Sequence, residues 1–243
     1  MSKRVAIVQS NYIPWKGYFD LIRAVDEFIL LDTVQYTRRD WRNRNKIKTA
    51  DGTAWLTVPV KVKGLYEQRI CDTETENSAW AQKHWSSFRS HYGRARHFAC
   101  YRELFEPLYR REPPHLLSEI NRTFIEAICR AMNITTQITS DADYTAASGK
   151  NERLLELCRQ AGATEYLSGP AARGYLDETL FAACGIKVTF ADYSGYPEYE
   201  QLFPPFEHAV TVLDLLFNVG PAAHEFLKDV TSNTAFPRLA PAV

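Results

Sequence analysis

The chain has 243 residues, 45 % of them hydrophobic, and its 29 Lys+Arg and 29 Asp+Glu cancel to a formal net charge of zero at pH 7. That length and apolar share describe a globular chain able to bury a substantial core, as one α/β domain or two small lobes, and a neutral total with pI near 7.0 argues against nucleic acid as a partner. The balance conceals an asymmetry: residues 1–111 carry 20 basic and 12 acidic side chains, net +8, and the remainder 9 and 17, net −8, which makes the N-terminal part the anion-binding half.

No stretch approaches the ~18–20 consecutive apolar residues of a membrane helix, and MSKRVAIVQSNYIP turns polar too early for a signal peptide, so a cytoplasmic protein without a membrane span is expected. Cys71, Cys100, Cys129, Cys158 and Cys184 are odd in number, form no C-x-x-C pair and have no histidine at ligand spacing, which argues against a structural zinc site or a disulfide framework.

In chain order, Arg4 to Gln9 reads as a short buried strand around Val-Ala-Ile-Val. The loop Ser-Asn-Tyr-Ile-Pro-Trp-Lys-Gly follows, then a helix beginning near Tyr18 with Leu21, Ile22 and Val25 inward. Phe28 to Leu31 is a second apolar run closing at Asp32, so the two strands flanking the helix are expected to be parallel. Ligands of such sheets gather at the carboxyl ends of strands, here Gln9 to Gly17 and Asp32 to Tyr36. Arg38 to Lys48, RRDWRNRNKIK, then places six cations in eleven residues. Arg42, Arg44, Lys46 and Lys48 fall on alternate positions, which in a strand share one face. An Ala50-Asp51-Gly52-Thr53 turn returns the chain as Trp55 to Val60, completing a basic β-hairpin. Its cations serve either to hold an anion at the mouth of the central sheet or simply to keep an edge strand from aggregating.

Ser78 to Met132 has helical periodicity, broken by Pro113-Pro114. Thr135 to Thr139 is a short strand and Asn151 to Ala161 a helix stopped by Gly162. Tyr166-Leu167 ends another strand, and Lys187 to Phe190 is a further one. The expected fold is α/β, a Rossmann-like parallel sheet core with a basic β-hairpin and an inserted helical segment. Its divisions are 1–77 (N-terminal α/β half with the hairpin), 78–132 (helical segment), 133–230 (C-terminal α/β half) and 231–243 (tail).

The loop Asn11 to Tyr18 joins a strand to a helix N-terminus, where free backbone N–H groups favour phosphate or carboxylate. In it, Gly17 permits close backbone approach, Lys16 supplies charge, and Tyr12 and Trp15 offer faces for a planar ligand. Ser168, Gly169, Pro170 and Arg173 repeat that logic at a second strand end, with Tyr175 just beyond. Asp32, Gln35 and Tyr36 bring a carboxylate, an amide and a phenol to the same end of the sheet; Asp32 is a candidate general base, a ribose partner or an ion-pair partner of Arg38. His84, in the pattern Trp80, His84, Trp85, Phe88, reads as a core imidazole. Asp214, on an amphipathic stretch ending at Gly220, is a carboxylate in apolar company that requires a raised pKa or a donor if buried. Tyr193, Tyr196, Tyr199 and Gln201 lie in an aromatic, Pro-rich stretch that covers the sheet or walls a pocket.

Taken together, QSNYIPWKGYFDLI, DTVQYTRRDWRNRNKIK, WLTVPV, YLSGPAARGYLD and TVLDLLFNVG resemble the WbqC-like family over roughly residues 4–228. Members are associated with bacterial O-antigen and other surface-polysaccharide gene clusters, and the resemblance implies a role in making or decorating such glycans. The motif positions it marks are Gln9, Tyr12, Pro14, Trp15, Gly17, Tyr18, Asp32, Gln35, Tyr36, Asn43, Arg44, Ser168, Gly169, Tyr175, Asp214 and Asn218. More distantly, Trp15 to Tyr18 is similar to the His-x-Gly-His segment of the nucleotidyltransferase superfamily, with both histidines replaced, by Trp15 and Tyr18; Ser168 to Arg173 is similar to its later phosphate loop.

These readings converge on a transferase for a phosphate-bearing substrate, adding an acyl or aminoacyl group to the amino group of a nucleotide-linked sugar. Asp32 and Tyr18 are the candidate catalytic groups. Gln9, Tyr12, Pro14, Trp15, Lys16, Gly17, Gln35, Tyr36, Asn43, Arg44, Lys46, Ser168, Gly169, Arg173 and Tyr175 are candidates for binding a nucleotide sugar or acyl carrier. No metal ligand set and no cofactor is singled out. An ATP-dependent ligase or nucleotidyltransferase and a non-catalytic scaffold of a polysaccharide assembly complex are the rival readings.

Overall fold

Alternation of apolar side chains along the first strand decides the layering. The computed structural model describes residues 2–145 and 147–231; of the expected tail, residues 232–243 lie outside them. In β1 (Arg4–Val8), Val5 and Ile7 pack into one cluster and Ala6 into another, and in β2 (Glu27–Leu30) Ile29 joins the first while Phe28 and Leu30 join the second. Successive side chains of a strand point to opposite faces, so both strands are buried on two sides and need helices above and below. The short α1 (Lys16–Arg23) connects them, and β1 and β2 pair in parallel.

Five parallel strands form the sheet: β1, β2, β5 (Gln137–Ser140), β6 (Glu165–Ser168) and β7 (Lys187–Phe190), in the spatial order β5-β2-β1-β6-β7. The chain winds outward from β1 to one edge, then returns to the other side of β1, the doubly wound arrangement of Rossmann-like folds. One face is covered by α5 (Lys150–Gln160) and α6 (Glu178–Ala183), whose Leu154, Leu157, Cys158 and Phe181 meet Val5, Ile7, Ile29 and Tyr166. The other carries α1 and the larger cluster.

Between β2 and β5 the chain first makes the antiparallel pair β3 (Arg44–Thr49) and β4 (Gly52–Thr57), a separate two-stranded sheet. Thr49 faces Gly52, so Ala50 and Asp51 make the turn, and Gly52 sits at φ +114°, which only glycine adopts without strain. Three helices follow, α2 (Ala79–Tyr92), α3 (Phe98–Arg110) and α4 (Leu117–Ala131). The break at Gly93 adds a division that Pro113-Pro114 alone does not mark. Their aromatic faces pack on one another and on α7 (Val212–Val219), with Trp85 stacked on Phe98 and Tyr109 and Phe217 edge-on to Phe88. Among the described residues no helix is long and apolar enough to cross a membrane.

Candidate functional site

Strand order reverses at the β1/β6 boundary, and beside the carboxyl ends there the helices diverge and leave a crevice. The structure has a groove of about 650 Å³ at this point, lined by Ile7 and Val8 of β1 with Gln9 just beyond it, Ser168 at the end of β6 and Gly169 after it, and Leu31, Val34 and Gln35 after β2. Trp15 and Tyr18 of the α1 entry, Gly149, Lys150 and Arg153 of the α5 entry, and Tyr175 and Tyr193 complete it. Gly149 has φ +92° and precedes α5 directly, which puts the first turn of that helix at the groove, with the Glu152 side chain packed against the glycine. Lys150 Nζ lies 3.2 Å from the Tyr175 ring centroid, and Arg153 Nε donates to the Ala147 carbonyl at 3.4 Å. Neither makes an ion pair among the described residues, which leaves both charges open to an anion.

Of the residues singled out in the sequence, Gln9, Trp15, Tyr18, Gln35, Ser168, Gly169 and Tyr175 come together here. The Tyr18 hydroxyl donates to the Gln9 carbonyl at 3.1 Å. Asp32 is not among the groove's lining residues and is 4 % exposed, accepting from the Ser10 N–H at 2.9 Å. Burial pushes its carboxyl pKa up, opposed by the Ser10 hydrogen bonds; Asp141 raises it further and Arg42 opposes. Arg42 is half-buried, bonded to Asn11 and 3.5 Å from Asp40, with its Nε lacking any partner. Asn121 of α4 ties the cluster together, donating to Ser10 Oγ at 3.0 Å and to the Arg42 carbonyl at 2.9 Å.

Other candidates are placed elsewhere. The space beside Gly17 is filled by the Trp15 indole, with which a Cβ would collide, so this glycine admits an aromatic neighbour rather than a ligand. Lys16 is turned into the aromatic stretch: its Nζ donates to the Pro197 carbonyl at 3.0 Å and lies 4.8 and 5.1 Å from the Tyr196 and Tyr199 rings. Burial lowers its pKa to about 8 against the pull of Asp20 and Asp214. Asn43 donates to the Val58 carbonyl at 2.8 Å, Tyr36 is buried, and Arg173 stacks 4.2 Å over Phe190. Arg44 and Lys46 lie over Trp55, at 4.2 and 5.3 Å, outside the groove's lining. Lys48, fourth of the alternating cations, is buried.

A second cavity of about 330 Å³ is lined by Asn11, Pro14, Trp15, Trp41, Asn45, His208 and Ala209. Trp15 is common to both cavities. The sequence reading did not select Lys150 and Arg153, although Ala147-Ser148-Gly149-Lys150 at a helix start carries the same small-residue, glycine and cation signal as the loops it did select. Nor did it select Arg42 as a site residue.

Tyr12 lies in the core, sharing hydrogen bonds with His84 Nδ1 at 2.9 Å and the Tyr109 hydroxyl at 3.0 Å. Burial lowers the His84 pKa from 6.5 to about 4, with a backbone hydrogen bond at Thr57 opposing. The folded state therefore prefers the neutral ring, and its stability is complete above pH 6.5 and lost as pH falls toward 4. The expected loss is about 3 kcal/mol at 1.36 kcal/mol per pKa unit. Urea unfolding of the wild type and His84→Gln at pH 7 and pH 4.5 checks this: the difference between their pH slopes isolates the imidazole, and parallel slopes would refute it.

A family model matches most of the chain. Residues 9–226 match the WbqC-like protein family. An uncharacterized protein of Mycobacterium tuberculosis (strain ATCC 25618 / H37Rv), Rv1507c, is 53 % identical over 226 residues, covering 93 % of this chain and 98 % of its own length. No solved structure matches. With the match running from the end of β1 past α7, this chain belongs to the WbqC-like protein family.

Proposed function

We propose that the chain is a cytosolic transferase of surface-polysaccharide biosynthesis that adds an acyl or aminoacyl group to the amino group of a nucleotide-linked sugar. The observation that carries the reading is the groove at the reversal of strand order, where the α5 N-terminus, Lys150 and Arg153 meet the aromatic faces of Trp15, Tyr18 and Tyr175. Helix N–H groups and unpaired cations suit a diphosphate, and aromatic faces suit a base or sugar ring. The polysaccharide context and the acyl chemistry rest on the family resemblance. Amide formation needs a proton acceptor for the attacking amine, and Asp32, with its raised pKa, is the proposed one.

Isothermal titration with a panel of nucleoside diphosphate sugars tests the groove. Arg153→Ala should weaken binding about 10- to 100-fold, the value of a charge-assisted hydrogen bond, and Lys150→Ala should weaken it further in the double variant. Equal affinity in wild type and double variant would remove the groove as the phosphate site. Turnover with an acyl donor in the absence of ATP separates the transferase from an ATP-dependent ligase, and binding without turnover favours a scaffold.

A further inference from the structure

The cations of the hairpin do not serve the groove, yet they are not an ordinary solvated edge. Arg44 and Lys46 lie on one face of Trp55, and Trp55 packs at 5.4 Å against Trp41, which lines the smaller cavity. Neither cation forms an ion pair among the described residues; an Arg44 Nη donates to the Arg39 carbonyl, while its Nε is buried without a partner. Inside the cavity the walls are the Trp15 and Trp41 indoles and Pro14, with Asn11 and His208 as polar edges. Asn11 Oδ1 is taken by Arg42, which directs the remaining capacity of that amide to its NH₂ group. Burial and the charge of Lys16 lower the His208 pKa, so the imidazole is neutral at pH 7 and can accept or donate. Its ring is held edge-on to Phe206 with centroids 4.6 Å apart.

We propose that this cavity is a second binding site, separate from the groove, for a nucleoside phosphate. The base inserts beside Trp15 and Trp41, its edge meets Asn11 and His208, and the phosphate lies on Arg44 and Lys46. The volume is at the lower end of the roughly 300–1,000 Å³ of small-molecule sites and suits a nucleoside. A sugar without phosphate leaves two partly buried cations without a counter-ion, and an acyl chain desolvates an amide and an imidazole without replacing their hydrogen bonds. A planar base with an anionic tail satisfies every one of these groups. The site does not depend on the transfer reaction proposed for the groove.

Isothermal titration with ADP as probe tests it. With the groove silenced, the protein is expected to bind ADP with an affinity that falls as salt is raised, because the cations are only partly buried. Trp41→Ala should weaken ADP at least about tenfold through lost stacking, whereas Trp41→Phe, which keeps a ring, should retain most of the affinity. Trp41 is 41 % exposed, so the substitution leaves the core intact. Arg44→Ala with Lys46→Ala should weaken ADP and flatten its salt dependence, while adenosine should bind with no salt dependence. Running every titration in the Lys150→Ala/Arg153→Ala background removes the groove's contribution, so the ADP that still binds reports the smaller cavity alone. In that background, ADP affinity that is unaltered by Trp41→Ala and by the Arg44/Lys46 double variant would overturn the proposal, as would the absence of binding at millimolar ADP.

Discussion

Asp214→Ala is expected to destabilise the protein by about 3–5 kcal/mol, the cost of leaving buried hydrogen-bond donors without their acceptor at roughly 1–3 kcal/mol each. Asp214 is fully buried on α7 and accepts from three side chains: Tyr92 of α2 at 2.8 Å, Tyr199 at 2.7 Å and Gln201 at 2.8 Å. The Tyr92 hydroxyl in turn accepts the Lys48 N–H of the hairpin at 2.8 Å, so one carboxylate links α7, the helical layer, the hairpin and the aromatic segment. Burial raises its pKa, and the three donors oppose that rise by solvating the charge. Alanine strands three buried donors at once. In a domain of this size that corresponds to a melting-temperature drop of about 6–20 °C. Asp214→Asn, which keeps the shape but turns an NH₂ group toward donors, should fall between wild type and alanine. Thermal melts followed by circular dichroism decide it, and an alanine variant melting within 2 °C of wild type, on the order of a surface substitution, would show that the network is dispensable.

Asp32→Asn is expected to lower turnover about 10²- to 10⁴-fold, the range for loss of a general base, while leaving substrate affinity near that of wild type. The same burial that raises the Asp32 pKa determines the pH dependence. Turnover requires the ionised carboxylate, so it should fall as pH drops through the raised folded-state pKa. That acidic limb should lie above the ordinary aspartate value of about 3.9 and vanish in the asparagine variant. A carboxyl group with a raised folded pKa contributes stability that is present below its unfolded pKa and is lost as pH rises through the folded one. Asparagine, neutral at every pH, should therefore keep or raise the melting temperature at pH 7. Loss of turnover with an undiminished melting temperature separates a chemical role from a structural one. Unchanged turnover would remove Asp32 from the mechanism.

Local chemistry accounts for the elements that were legible. Val5 to Val8, Phe28 to Leu30 and Lys187 to Phe190 are short apolar or alternating runs bounded by turn signals, and all three are strands. The hairpin follows from alternating charge, a turn and a β-favouring return. The loops after the first and fourth sheet strands, Gln9 to Tyr18 and Ser168 onward, stand out in the sequence as candidate site elements because a strand end, a glycine and a helix start are all consecutive in the chain. The raised pKa and hydrogen-bond donors expected for a buried Asp214 also follow from its apolar neighbours on the same helix, although phenols and an amide supply the donors.

The alternating spacing could place Arg44, Lys46 and Lys48 on one strand face, but not say what covers it; Trp55, directly opposite Lys46 in the pairing register, meets Arg44 and Lys46 instead of the groove. Gly17 looked available to a ligand until the Trp15 indole was seen against it. Lys150 and Arg153 reach the groove from a helix more than a hundred residues from Trp15. By itself, then, the amino-acid order determined the family, the parallel α/β core, the cationic hairpin and the strand-end loops, since each depends on neighbours within a few turns of chain. Only the tertiary structure decided which charges share a cavity, because the winding of the sheet, not proximity in sequence, brings α5 to the end of β1 and carries the hairpin to a different side of Trp15.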